Sequence, residues 1–186
     1  MQRNRVVLFR YLLAFLFIAG MAAVSALTGE KEVFFPEMLA LVAGGWAAAK
    51  QPWRAARPLI WGLMTFSALL GVVMVRYLAW PVSVKVIAAF VVVAVCLHLT
   101  GSTLYPMISA CILPILLGVD TMVYPISVSV MTAVLVIGQF FLEKGGLRET
   151  APVRETGVLT AASLKRGGWF WGKLYIALVP LAILAV

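Results

Sequence analysis

Two six-residue stretches decide how this chain folds, FPEMLA at residues 35–40 and YPMISA at residues 105–110. Each places a proline at the start of a short apolar segment. Each is followed about twenty residues later by another proline with Met-Thr six residues beyond it, namely Pro58 with Met64-Thr65 and Pro125 with Met131-Thr132. Short, proline-interrupted apolar segments at corresponding places in two halves are typical of transporters built from inverted repeats. The pattern therefore predicts two related halves of opposite orientation.

The composition of the chain is that of a membrane protein. Of its 186 residues, 63% are apolar and 12% are charged, and the mean hydropathy is +1.05. Soluble domains are only about half apolar, so most of this chain must face lipid or other membrane helices. The longest polar stretch, residues 143–173, is too short to fold as a separate domain. We therefore expect a single transmembrane domain over residues 1–186.

The hydropathy pattern predicts seven spans, which are Val6–Leu27, Glu37–Ala49, Pro58–Val75, Val82–Leu99, Pro106–Gly118, Met122–Leu142 and Phe170–Val186. The second and fifth have about 13 residues, too few to cross a layer of about 30 Å at about 1.5 Å per residue. These two carry the repeated proline motif. The predicted fold class is an all-α polytopic membrane bundle. Its parts are a first repeat in residues 1–100, the rest of the second in 101–142, a cytoplasmic loop in 143–169 and a final helix in 170–186.

The placement of lysine and arginine predicts the orientation. With a cytoplasmic N-terminus, the inner segments hold twelve of these residues and the outer segments hold three, Lys31, Arg76 and Lys85. Each unit then contains three spans, and this odd number turns the second unit upside down relative to the first. We expect an integral protein of a bacterial inner membrane with an inverted 3+3 repeat and a seventh helix.

The starts of the two short spans suggest how a solute is bound. Proline suits the first helical turn, where the free N–H groups and the helix dipole create a partial positive charge that attracts anions. Helices that begin at Pro36 and Pro106 and enter from opposite faces would point their beginnings at one another, so they predict one shared site for a small anion near the middle of the membrane. The simpler interpretation is that both prolines begin ordinary helices. The predicted substrate-binding residues are Pro36, Glu37, Thr103, Tyr105, Pro106 and Ser109.

Two ionisable residues are candidates for proton coupling, Glu37 and His98. Glu37 stands one residue inside a short span, where ionisable groups are rare and usually functional. It could equally be a first-turn acid that complements the helix dipole at the water interface. His98 lies in the last turn of the fourth span, where an interaction with free carbonyl groups is the simpler interpretation.

Several segments resemble the HPP family of small integral membrane proteins. Gln51-Pro52, SALLGV at residues 67–72 and LTGSTLYP at residues 99–106 follow the order and spacing of that family. The resemblance covers roughly residues 34–144 and implies a transporter, since some members are described as nitrite transporters. Where the family has His-Pro-Pro, this chain has Tyr105-Pro106-Met107, so the role of the family histidine has no direct counterpart. The surroundings of Trp46, Pro52 and Arg57 also look somewhat like half of an aromatic-acid exporter.

No enzyme signature occurs in the sequence, which has no Gly-rich phosphate loop and no histidine pair at metal spacing. We expect no catalysis, no metal and no cofactor, and we expect membrane lipid and a small anionic solute as partners. The net charge of +8 follows from the orientation and does not indicate nucleic acid. The leading hypothesis is a carrier or channel for a small anion, such as nitrite. A non-transporting scaffold or assembly subunit and an aromatic-carboxylate exporter are the alternatives, and a dimer or trimer would help a thin bundle to enclose a path.

Overall fold

The structure is a computed structural model that describes residues 2–29 and 35–148. Within these ranges the chain is helical and contains no strand. The helices are α1 (Gln2–Thr28), α2 (Glu37–Val42) with a π-helical turn (Ala43–Ala47), α3 (Arg57–Tyr77), α4 (Val82–Thr100), α5 (Pro106–Leu117) and α6 (Val123–Lys144). The predicted final helix, Phe170–Val186, and the predicted loop beyond residue 148 lie outside the described residues.

Four of these helices are long and apolar enough to cross a membrane, namely α1 from Arg5, α3, α4 and α6. The segments Glu37–Ala47 and Pro106–Leu117 are apolar but shorter. At about 1.5 Å per residue, each of the two covers little more than half of a hydrocarbon layer about 30 Å thick. The predicted contrast between long spans and two short segments is therefore confirmed for the described residues.

Proline and glycine set the ends of several helices. A proline stands in the first turn of both α3 and α5, where its missing N–H breaks no helical bond. Gly101 and Gly118 end α4 and α5 in the left-handed conformation, with φ of 60° and 68°. A side chain is strained in that conformation, so glycine suits both ends.

Helix α3 forms the centre of the bundle and packs against α4, α5 and α6. Its inward face carries Met64, Ala68 and Val72, all fully buried. Gly71 lets α3 approach α5 so closely that a Cβ atom there would collide with the carbonyl oxygen of Cys111 and the ring of Pro114. Small residues at helix contacts serve this purpose in membranes, where dispersion between close backbones takes the place of the hydrophobic effect.

The π-helical turn after α2 fits between α1 and α6. Trp46 in this turn lies against Gly138 of α6, and its indole Nε1 donates a hydrogen bond of 2.9 Å to the carbonyl oxygen of Leu135. Phe17 of α1 meets the same indole ring edge-on, with 5.0 Å between ring centroids. One buried tryptophan therefore joins three elements.

Helices α2 and α5 pack together and run in opposite directions. The ring of Phe35, just before α2, contacts that of Tyr124 at the start of α6, with centroids 5.8 Å apart. At the other end, Gln51 accepts a hydrogen bond of 2.7 Å from Gln139 near the end of α6. The backbone N–H of Arg54, in the same connection, donates to Thr103 just before α5. Helix α5 therefore begins at the end of the bundle where α2 stops.

Candidate functional site

The residues predicted to bind a substrate fall into two separate places. Phe35 and Gln51 contact opposite ends of α6, and Thr103 lies at the end of the bundle that holds Gln51. Pro36 and Pro106 are therefore at opposite ends of two helices that pass side by side. The short helices do not point their beginnings at one another, because each starts where the other ends.

Glu37 is the predicted site residue that the structure buries most deeply. Its exposed fraction is 5%, and its Oε2 atom has no hydrogen-bond partner among the described residues. The neighbouring Tyr124 donates its hydroxyl hydrogen to the carbonyl oxygen of Ala110, at 3.0 Å. A buried carboxylate oxygen that accepts no hydrogen bond makes the anion costly, so this position suits a group that gains and loses a proton.

The other predicted substrate-binding residues lie nearer the surface. Tyr105 is 66% exposed, Pro36 and Ser109 are also exposed, and Pro106 is half-buried. The hydroxyl of Thr103 accepts the N–H of Arg54 at 2.9 Å, which ties the start of α5 to the connection after α2. These five side chains therefore do not join Glu37 in one pocket.

His98 is exposed in the last turn of α4, the position that its simpler interpretation requires. The neighbouring hydroxyls act locally at the end of this helix. Thr100 donates to the carbonyl oxygen of Cys96 at 2.7 Å, and Ser102 accepts the N–H of Leu104. The hydroxyl of Thr103, by contrast, makes a bond that joins different elements.

A second polar group, absent from the predicted set, lies at the end of the bundle where α6 stops. Arg148 donates from Nη2 to the carbonyl oxygen of Gly44 at 2.8 Å and from Nε to that of Ala48 at 3.3 Å. Its side chain has no exposed surface. Arg148 therefore holds the π-helical turn against the end of α6.

Glu143 is the single carboxylate of this group among the described residues, and both of its oxygens are already bound. Arg57 approaches Oε2 at 2.9 Å, and Gln139 donates to Oε1 at the same distance. The Nη1 atom of Arg148 lies 3.8 Å from Oε1, which is an ion pair without a hydrogen bond. One carboxylate thus serves two guanidinium groups and an amide.

Arg10 of α1 adds a third positive charge. Its exposed fraction is 6%, and its Nε atom has no partner among the described residues. Burial lowers the pKa of the Arg148 guanidinium, Glu143 raises it, and the positive charges of Arg10 and Arg57 lower it further. Arginine nevertheless stays charged at neutral pH. We call Arg10, Arg57, Arg148, Gln139 and Glu143 the arginine cluster.

Two signals in the sequence point to the arginine cluster. Arg10 interrupts the apolar run of the first span four residues after Val6, which is unusual for a charge without a role. Gln139 and Glu143 are four residues apart near the end of α6 and therefore share one helical face. Neither signal indicates that the two helices meet, so only the packing identifies the cluster.

Comparisons of the chain with protein-family models, with curated proteins and with solved structures find no match. The resemblance to the HPP family therefore stays a prediction. Within the part of the chain that the structure describes, no three His, Cys, Asp or Glu residues come together as a metal-binding group.

Proposed function

We propose that this protein is a secondary transporter or channel for a small anion, built from two inverted units, α1–α3 and α4–α6. The observation that carries the proposal is the matching set of helix contacts in the two units. In this comparison α1, α2 and α3 correspond to α4, α5 and α6. Helix α3 packs on α5, and its counterpart α6 packs on α2 with the following π-helical turn. The pairs α3–α6 and α2–α5 then each join a helix to its own counterpart, as a pseudo-two-fold axis requires.

The repeated Met-Thr motif supports the same relation between the units. Met64 and Thr65 lie on α3, and Met131 and Thr132 lie on α6, and these two helices pack together. The Oγ1 atoms of both threonines are buried and have no hydrogen-bond partner among the described residues. Two hydroxyls at matching positions of a central helix pair can serve a polar solute that passes between the units.

Glu37 supplies the proposed coupling to protons. It lies beside the beginning of α6, whereas Thr103 and Tyr105 lie at the opposite end. In this proposal the helix beginnings at Pro36 and Pro106 line two entrances of one path rather than a shared central site. The proton on Glu37 removes the repulsion between the carboxylate and an anion, so anion and proton move together.

A non-transporting scaffold is the second candidate. The close contacts of Gly71 with Cys111 and of Gly138 with Trp46 favour it, because a scaffold needs tight helix packing and no path. No observation favours the aromatic-carboxylate exporter over these two.

Uptake of anions into proteoliposomes tests the proposal. We expect the purified protein to carry nitrite or a similar small anion faster when the outside is acidic. Replacing Glu37 by Gln should reduce this pH-dependent uptake to the level of protein-free liposomes, because the glutamine amide does not take up and release a proton as a carboxyl group does. Exchange of anion across the membrane without a pH gradient should survive the substitution.

Asp120→Asn is the matched control, since Asp120 is an exposed acid in the connection between α5 and α6. It should transport like the wild type. Absence of flux for every anion, with and without a pH gradient, would favour the scaffold. Unchanged pH dependence in Glu37→Gln would be compatible with a transporter but would show that Glu37 is not the proton-coupling residue.

A further inference from the structure

The arginine cluster contains more positive than negative charge. The cluster holds three guanidinium groups. Arg57 and Arg148 pair with the single carboxylate of Glu143, and the positive charge of Arg10 acts on Arg148. Arg10 and Arg148 are both more than nine-tenths buried. Two positive charges therefore lack a counter-charge among the described residues, and buried charges are normally paired.

The cluster also has hydrogen-bond donors in excess. The Nε atom of Arg10 and the Nη1 atom of Arg148 are buried and have no acceptor among the described residues. Each oxygen of Glu143 already accepts one hydrogen bond, from Arg57 and from Gln139, and no described bond joins this carboxylate to Arg10. An additional acceptor is needed to satisfy these donors.

Both donors belong to segments that contact the π-helical turn, which are α1 for Arg10 and the residues just after α6 for Arg148. Arg148 binds the carbonyl oxygens of Gly44 and Ala48, at the beginning and just beyond the end of the π-helical turn. Phe17 of α1 packs against Trp46 of that turn. Arg10 lies seven residues before Phe17, two helical turns along the same face of α1.

We infer that the arginine cluster is a binding site for an oxyanion with at least two oxygen acceptors, such as phosphate. Guanidinium groups match such anions because their N–H groups form a planar fork that two oxygens can accept. The site lies at the end of the bundle that also holds the connection at residues 48–56, near the level where the apolar spans end. Basic pockets at this level bind anionic lipid headgroups, so the oxyanion can be free in solution or part of a lipid.

The inference does not depend on transport, so its test measures binding alone. The full chain in a neutral detergent is heated in sodium phosphate and in sodium chloride of equal ionic strength, with unfolding followed by tryptophan fluorescence. A ligand that binds only the folded state raises Tm with its concentration. In a second arm, the chain is placed in nanodiscs of phosphatidylcholine with and without phosphatidylglycerol.

We expect phosphate or phosphatidylglycerol to raise Tm in the wild type. Arg10→Gln should weaken this response by at least about tenfold in concentration, as the loss of one charge-assisted hydrogen bond implies. The Arg10 side chain takes part in none of the described hydrogen bonds, so this variant is expected to fold. Arg10→Lys keeps the charge and should retain part of the response.

Arg54→Gln is the matched control. Arg54 is exposed at the same end of the bundle, and its described bond to Thr103 uses the backbone N–H. This variant removes one positive charge from that face without touching the cluster, so it should respond like the wild type. A response to phosphate identifies a soluble oxyanion, and a response to phosphatidylglycerol alone identifies a headgroup. No response to either probe, or an equal response in Arg10→Gln, would overturn the inference.

Discussion

Gly71 shows how one missing side chain sets the spacing of two helices. A Cβ atom at this position would collide with the backbone carbonyl of Cys111, which cannot rotate away as a side chain can. Gly62 lies on the same helix, α3, and a Cβ there would meet nothing within 4 Å. The two glycines therefore have different physical roles although both lie in one apolar span.

Gly71→Ala should lower the free energy of unfolding by about 1–3 kcal/mol, because α3 and α5 must move apart to admit the methyl group. Gly62→Ala should leave it unchanged or raise it by up to about 1 kcal/mol, since alanine favours the helix. Unfolding of the detergent-solubilised protein with increasing SDS, followed by tryptophan fluorescence, measures both. Equal effects of the two substitutions would contradict the close contact at Gly71.

At the scale of elements, the π-helical turn Ala43–Ala47 decides how the short helix α2 fits the bundle. The N–H of Ala48 donates to the carbonyl oxygen of Ala43 at 2.8 Å, a wider ring than in an α-helix. The turn presents the carbonyl oxygen of Gly44 to Arg148 and the indole of Trp46 to α6. Turns of this kind are frequent at functional sites, and this one forms a wall of the arginine cluster.

Trp46→Phe should lower the free energy of unfolding by about 1 kcal/mol, the net contribution of one buried hydrogen bond, because the Leu135 carbonyl loses the indole donor. Trp61→Phe is the comparison, since Trp61 is exposed and its indole Nε1 donates to the carbonyl and hydroxyl oxygens of Ser129, both at 3.2 Å. Its effect should stay below about 0.5 kcal/mol. Unfolding with SDS measures both, and a larger loss at Trp61 would show that the buried bond does not anchor the turn.

At the level of the whole molecule, the ends of the helices and their connections form two groups at opposite ends of the bundle. The connection at residues 48–56 is hydrogen-bonded to Gln139 of α6, to Thr103 just before α5 and to Arg148 just after α6, so all of these lie at one end. The connection that contains Asp120 and the beginning of α6 lie at the other. The first set is rich in lysine and arginine, so we predict that it faces the cytoplasm.

Single cysteines at Arg54 and Asp120 test this orientation. Cys96 and Cys111 are first replaced by Ala, and intact cells are treated with a maleimide that does not cross membranes. We expect the cysteine at Asp120 to react in intact cells and the one at Arg54 to react only after the membrane is opened. Labelling of both positions in intact cells, or the reverse pattern, would show that the predicted orientation is wrong.

The sequence determined to within a few residues where the described helices begin and end, although it did not predict the π-helical turn Ala43–Ala47. An apolar run of a given length, a proline in a first turn or a glycine after a last turn acts through its immediate neighbours, so Pro106 and Gly118 fixed α5 without knowledge of the fold. The sequence also identified Glu37 as an unusual acid, because a charge inside an apolar run is visible by itself.

The tertiary structure alone decided which polar groups meet. Arg10 comes from α1, Gln51 from the connection after α2, and Glu143 and Arg148 from the end of α6 and the turn after it. Their contacts across these three segments depend on the rotation and register of packed helices. The close approaches at Gly71 and Gly138 set that register. For the same reason the beginnings of α2 and α5 lie at opposite ends: two antiparallel helices that pack along their lengths keep their first turns apart.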